Sequence, residues 1–165
     1  METRDMTNTQ TTPATAANPD VAAATAQFLT PVVLGLQALA VNGKQAHWNV
    51  RGANFIAIHE LLDSVVLHAQ AGADQAAERI VALGLPIDAR VGTVAQKTSS
   101  AVPAGFTQWD ALIRNVISDM DAVIADTQAA IDGLDEFDLT SQDIAIGIKE
   151  SLEKDRWFLF AHLAE

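Results

Sequence analysis

Apolar residues recur every three or four positions along most of this chain, which is the spacing of one face of an α-helix. No segment shows the strict alternation of apolar and polar residues that is typical of a half-buried β-strand. The pattern therefore predicts an all-α fold with four long helices. Helix A covers about 31–51, helix B 54–83, helix C 107–133 and helix D the residues from 140 onward.

The ends of these helices carry residues that are typical of helix caps. Asn18 directly precedes Pro19, a combination that predicts the start of a helical segment. Pro31 either begins helix A or kinks a longer helix that started earlier. Asn54 is the predicted cap of helix B, and Gly84 is its predicted stop.

The segment between helices B and C is a long crossover. Residues 85–106 are broken by Pro, Gly and Ser, so only a short helix around Val91 to Lys97 is expected there. A capping box, Thr107-x-x-Asp110, is predicted at the start of helix C, and Thr140 or Ser141 at the start of helix D. Two helical hairpins joined by a long crossover predict a ferritin-like four-helix bundle.

Length and composition indicate one soluble domain. The 165 residues can bury a core without covalent staples, and the absence of cysteine excludes disulfides and zinc–thiolate sites. Residues 1–18 are polar and low in complexity, so we expect a flexible tail followed by a bundle domain over 19–165. The longest apolar run, Val32 to Val41, is too short to span a bilayer, and no secretory signal is visible. We therefore expect a cytoplasmic protein that does not enter a membrane.

The charge balance is strongly acidic, with 21 Asp and Glu residues against 10 Lys and Arg residues. A net charge of -11 repels the phosphate backbone of nucleic acids and gives little basis for binding DNA by counterion release. Excess carboxylate instead suits the attraction of cations. The alternative is that these acids only keep the surface soluble.

Two pairs of polar residues on helix B have the spacing of metal ligands. His59-x-x-x-Asp63 and Asp74-x-x-x-Glu78 each place two side chains on one helical face, and His47 lies a short turn upstream. Imidazole combined with carboxylate suits iron or a similar divalent metal. Exposed surface pairs are the alternative, although two acids at this spacing repel one another. The sequence thus predicts a metal site made from these five residues.

Helix geometry adds a condition to that site. On a continuous helix that rises about 1.5 Å per residue, His59 and Glu78 lie roughly 28 Å apart. One chain therefore cannot close all five ligands around one metal. If they serve one centre, helix B must cross its own copy antiparallel at a two-fold interface with two equivalent sites.

Other residues near the site admit two interpretations each. Lys44 either pairs with an acid of the site or is merely solvated. Trp48 either packs at a subunit interface or intercepts oxidising equivalents. Gly72 in the middle of helix B indicates the close approach of another helix, or is tolerated on an exposed one. His68, half a turn round helix B from His59, is assigned a structural role.

The spaced set of His, Trp-Asn, His-Glu, Asp, Asp and Glu-Arg resembles the Dps family, the mini-ferritins named as DNA-binding proteins from starved cells. The resemblance covers the chain from about residue 31 onward. The residues that carry it are Lys44-Gln45-Ala46-His47-Trp48-Asn49-Val50-Arg51-Gly52, Phe55, His59-Glu60, Asp63, Asp74 and Ala77-Glu78-Arg79-Ile80.

This resemblance implies a hollow homo-oligomer, a dodecamer, that oxidises Fe(II), usually with hydrogen peroxide, and stores Fe(III) oxide inside. It also implies that His47, His59 and Asp63 come from one subunit and Asp74 and Glu78 from its partner. The tail contains only Arg4 as a basic residue and lacks the lysine-rich arm of the DNA-binding members. DNA binding is therefore not expected.

Two rival functions remain open from sequence. The same inter-subunit site, loaded with a divalent metal and water, could hydrolyse an amide or ester. The chain could also be a structural protein that compacts DNA, which its charge disfavours. No organic cofactor is implied, because Gly35 and Gly43-Lys44 lack the spacing of a phosphate-binding loop.

Overall fold

The computed structural model describes residues 18–164 and confirms the predicted four-helix bundle with a short crossover helix. The predicted flexible tail, 1–18, lies outside the described residues except for Asn18. The helices are α1 (Pro19–Asn49), α2 (Phe55–Ala82), α3 (Val91–Lys97), α4 (Trp109–Leu134) and α5 (Leu139–Ala161), and the strands are β1 (Val50–Arg51) and β2 (Thr107–Gln108).

The first helix is longer than helix A because Pro31 does not start it. Asn18 caps α1 by accepting a hydrogen bond from the backbone N–H of Asp20 at 2.9 Å, and Pro19 occupies the first turn. Pro31 lies inside this helix, so the longer of the two predicted arrangements is correct. α1 is long and apolar enough to cross a membrane by composition alone, but 61% of its most apolar window is buried inside the bundle. That is the behaviour of a core helix.

Two predicted features at helix ends are wrong. Helix α4 is preceded by Gln108, which makes no side-chain cap bond, and the Thr107 hydroxyl donates to the carbonyl of Gly105 rather than capping the helix. The reason is that Thr107 belongs to strand β2. This strand has only two residues, too few for an alternation of apolar and polar positions to be recognised in the sequence. Helix α5 starts at Leu139, because the Asp138 carboxylate caps it.

A two-residue parallel ladder joins the α1–α2 connection to the end of the crossover. Val50 pairs with Thr107 and Arg51 with Gln108, so helix α1 stops at Asn49 rather than near Gly52. Asn54 occupies the cap position of α2 without a side-chain cap bond. Gly84 ends that helix region as predicted, with a φ of 92° that favours glycine.

The core lies between α1, α2, α4 and α5, whose apolar stripes meet at the centre of the bundle. Gly72 is explained by close packing inside the chain: a methyl group there would lie 3.3 Å from Leu36 and 3.4 Å from Ile148. The predicted approach of other helices is therefore confirmed, and they are α1 and α5. Fully buried core side chains include Leu29, Val32, Leu36, Leu39, Ile58, Leu62, Ile80, Leu112, Ile113, Met120, Leu134 and Leu159.

A polar network fixes the last turns of α2 to α5 and α1. Arg79 donates to the Asp138 carboxylate at 2.6 Å and to the Ser141 hydroxyl at 3.0 Å, and the Ser141 hydroxyl lies 3.2 Å from that of Thr25. Burial by itself would raise the pKa of Asp138, but hydrogen bonds from Ser141 and Arg79 outweigh it and the pKa is lowered. The ionised carboxylate thus holds the helix segment that carries Glu78.

Candidate metal centre

The connection between α1 and α2 brings three of the five predicted ligands together. His47 lies in the last turn of α1 and is buried, with 6% of its surface exposed. His59 is half-buried in the second turn of α2, and Asp63 is exposed one turn further along. These residues form one half of the predicted site.

The two histidine rings hold each other in a defined orientation. They stack with their centroids 3.6 Å apart and their planes at 22°. His47 Nδ1 lies 2.7 Å from the carbonyl oxygen of His59, and His59 Nδ1 lies 2.9 Å from the carbonyl oxygen of His47. A carbonyl oxygen can only accept, so each Nδ1 carries a hydrogen and donates it. In the neutral rings the lone pair is therefore on Nε2, the arrangement that second-shell hydrogen bonds give to metal-binding imidazoles.

Asp63 is the carboxylate beside this pair. Lys44 Nζ donates a hydrogen bond to Asp63 Oδ1, and His47 Nδ1 lies 3.3 Å from the same oxygen. The hydrogen bond from Lys44, aided by the charge of Lys44, lowers the pKa of Asp63 against the opposing effect of desolvation. Lys44 thus pairs with an acid of the site, as one of its two interpretations predicted, and Asp63 is ionised at neutral pH.

Asp74 and Glu78 lie at the other end of the same helix and are both exposed. Helix α2 is unbroken from Phe55 to Ala82, so the separation of about 28 Å between His59 and Glu78 stands. Asp74 borders a groove that Val33 and Leu67 also line. Over residues 18–164, no group of three or more His, Cys, Asp or Glu side chains is arranged to hold a metal ion within one chain. The predicted ligands of each chain thus fall into two separate groups, which we term the partial ligand sets.

Sequence reasoning missed the partner of His68. The imidazole Nδ1 lies 2.8 Å from Oδ2 of Asp155, a residue with only 2% of its surface exposed. This hydrogen-bonded contact agrees with the structural role predicted for His68. A signal was present in the sequence, because Asp155 interrupts the apolar stripe of helix D between Leu152 and Leu159.

Trp48 is 65% exposed in the single chain. An exposed indole next to His47 agrees with either of its predicted roles, packing against a partner or intercepting oxidants. Both roles remain predictions.

Comparisons with known proteins identify the family. The ferritin family, described as a ferritin-like domain, matches residues 32–165. The DNA protection during starvation protein of Mycolicibacterium smegmatis is 37% identical over 128 residues, covering 73% of this chain and 66% of the relative, just under two thirds. The protein of that name from Agrobacterium fabrum is 36% identical over 129 residues, covering 77% of this chain and 80% of the relative.

Solved structures agree with these sequence matches. The Dps of Microbacterium arborescens, solved in a high iron form, is 74% identical with a TM-score of 0.90, covering 92% of this chain and 99% of that one. Dps92 of Deinococcus radiodurans is 26% identical with a TM-score of 0.82, covering 86% of this chain and 87% of that one. The chain therefore belongs to the Dps family of ferritin-like proteins, a family known for iron storage and DNA protection.

Proposed function

We propose that this protein stores and detoxifies iron: it oxidises Fe(II), preferably with hydrogen peroxide, at centres shared between two subunits. The Fe(III) product is kept as mineral inside a hollow homo-oligomer, a dodecamer by the family resemblance. The observation that carries this proposal is the division of the ligands. His47, His59 and Asp63 stand at one end of α2, and Asp74 and Glu78 stand at the other, about 28 Å away. An antiparallel crossing of two α2 helices would join the two sets.

The side chains suit iron as a substrate that changes its oxidation state. The imidazole Nε2 atoms bind Fe(II), and the hard carboxylate oxygens of Asp63, Asp74 and Glu78 favour the Fe(III) product. This preference lowers the potential at which iron gives up its electron. Two Fe(II) ions supply the two electrons that convert hydrogen peroxide and two protons into water, so each peroxide consumed should oxidise two irons.

The proposal is tested by mixing the purified protein with Fe(II) and hydrogen peroxide without oxygen and following Fe(III) formation by absorbance. We expect rapid oxidation at a ratio of two irons per peroxide, and light scattering of the same preparation should show a large closed assembly. A monomer at micromolar concentration would contradict the shared centre. A dimer that oxidises iron would retain the centre and exclude storage in a cavity.

We also propose that DNA is not bound at physiological salt. The net charge of -11 opposes the approach of phosphate, and the first 18 residues offer only Arg4. Electrophoresis of plasmid with increasing protein at about 150 mM salt should show no retardation. Retardation under these conditions at neutral pH would show that a local basic surface overrides the net charge.

A further inference from the structure

The end of the crossover is attached to the α1–α2 connection by several independent contacts. We propose that this segment, Ala104–Trp109, which we term the crossover brace, positions the His47–His59 pair for metal binding. Within it, Phe106 acts through Arg51. This inference rests on the proposed function, since it concerns how the first partial ligand set is kept ready for iron.

The brace contacts the connection both before β1 and within it. The Gln45 side-chain amide, in the last turns of α1, donates to the carbonyl of Ala104 at 3.1 Å. Val50 and Arg51 then pair with Thr107 and Gln108 through the parallel ladder. Val50 is 2% exposed, so this strand is anchored in the core as well.

Arg51 and Phe106 make the outer contact of the brace. The guanidinium carbon of Arg51 lies 3.4 Å from the centre of the Phe106 ring, well inside the range of a cation–π interaction. Phe106 is nevertheless 68% exposed. Burial in the core of this chain therefore does not explain the position of the ring, and we assign it the contact with the Arg51 guanidinium instead.

Gly52 shows how closely the brace approaches. Its φ of 114° is a conformation that favours glycine. A methyl group at this position would lie 2.6 Å from Gln108 Oε1 and 2.7 Å from Trp109 Cδ1, both closer than atoms pack. Any larger residue would be strained at this φ and would force the Gln108 and Trp109 side chains of the brace to move.

The brace matters for the histidines because they flank the connection that it holds. His47 lies three residues before β1, and His59 lies in the second turn of α2 just after it. Their reciprocal Nδ1 bonds require the end of α1 and the start of α2 to keep one relative position. Metal ligands must be held within about 0.5 Å of their working geometry. The brace is itself fixed, because α4 begins at Trp109 and the crossover upstream is held by a 2.7 Å bond from the Ala101 N–H to Asp119.

The test is calorimetric titration of the assembled protein with Zn²⁺, which occupies imidazole and carboxylate ligands without redox chemistry. Phe106→Leu keeps an apolar side chain but removes the ring face. We expect it to raise the Zn²⁺ dissociation constant roughly two- to five-fold, the worth of an exposed cation–π contact. Phe106→Tyr should restore wild-type binding. Assembly size should stay unchanged in both. Any small loss of thermal stability in Phe106→Leu should be matched by the control variant Phe160→Leu, which keeps its Zn²⁺ binding, and this comparison separates positioning from a general structural role.

Two further variants complete the design. Gly52→Ala should weaken Zn²⁺ binding at least about ten-fold, because the strained connection and the Gln108 and Trp109 side chains of the brace must both adjust. Phe160→Leu is the matched control, since that ring is also exposed and lies 5.9 Å from an arginine, Arg156, far along the chain on α5. It should bind Zn²⁺ as wild type does.

Comparing His59→Ala with Phe106→Leu tests the metal site and the brace separately. If His59→Ala loses Zn²⁺ binding but Phe106→Leu binds as tightly as wild type, the brace does not position the pair and the metal site survives. If His59→Ala itself binds Zn²⁺ normally, both the metal site and the brace are refuted. If Gly52→Ala fails to assemble, the Phe106 variants alone decide whether the brace positions the histidine pair.

Discussion

Mixing two inactive variants, His59→Ala and Glu78→Ala, is expected to restore iron oxidation. Each pure variant lacks one ligand at every shared centre, so each should oxidise Fe(II) at least about 100-fold more slowly than wild type. After the two proteins are dissociated, mixed in equal amounts and reassembled, half of the two-fold pairs should be mixed. One of the two centres in each mixed pair receives an intact His59 from one chain and an intact Glu78 from the other. About a quarter of all centres should therefore recover.

The matched control mixes His59→Ala with His47→Ala. Both substitutions lie in the same partial ligand set, so every centre in a mixed pair still lacks one histidine and no activity should return. Mass spectrometry of differently labelled chains would establish that mixed assemblies formed in both experiments. Mixed assemblies that stay as slow as their parents in the first experiment would show that the ligands are not shared between subunits.

The helices, and the spacing of the predicted ligands along helix B, were predictable because both depend on local sequence. A period of three to four residues marks a buried helix face over any ten or more residues, and the spacing of His59, Asp63, Asp74 and Glu78 is fixed by the rise of a single helix. The 28 Å separation followed from the same geometry, and an unbroken α2 preserves it.

The features that escaped sequence reasoning depend on residues far apart in the chain. The strand at Thr107 exists only because Val50, which precedes it by 57 residues in the chain, pairs with it. The orientation of His47 and His59 comes from backbone carbonyls, which no side-chain pattern reports. Asp155 is satisfied by His68, 87 residues away. Local periodicity carries no information about such pairings.

Caps were predicted less well than helices for a related reason. Both Asp138 and Thr140 are good cap residues, and the choice between them depends on Arg79, which holds the Asp138 carboxylate from another helix. The same contact ties the end of α2, and with it Glu78, to the start of α5. The start of this helix was predicted one or two residues too late, and that small error concealed a link between the second partial ligand set and the rest of the bundle.

Replacing Gly133 with alanine is expected to destabilise the bundle, although alanine favours helices. Gly133 lies one residue before the end of α4, and a methyl group there would meet the Phe28 ring of α1 at 2.3 Å. Moving that half-buried ring should cost about 1–3 kcal/mol, which exceeds the helix-propensity gain of about 1 kcal/mol. We expect a net loss of up to about 2 kcal/mol, seen as a lower urea midpoint at fixed protein concentration.

Gly147→Ala is the matched control, because it also adds one methyl group to a glycine inside a long helix. Nothing lies within 4 Å of the added atom, so propensity acts alone and the urea midpoint should rise by the equivalent of about 0.5–1 kcal/mol. Adding Phe28→Leu to Gly133→Ala should give a double variant more stable than the sum of the two single losses, because the smaller side chain makes room for the methyl group. Strict additivity of the two substitutions would show that Phe28 is not what the new methyl group meets.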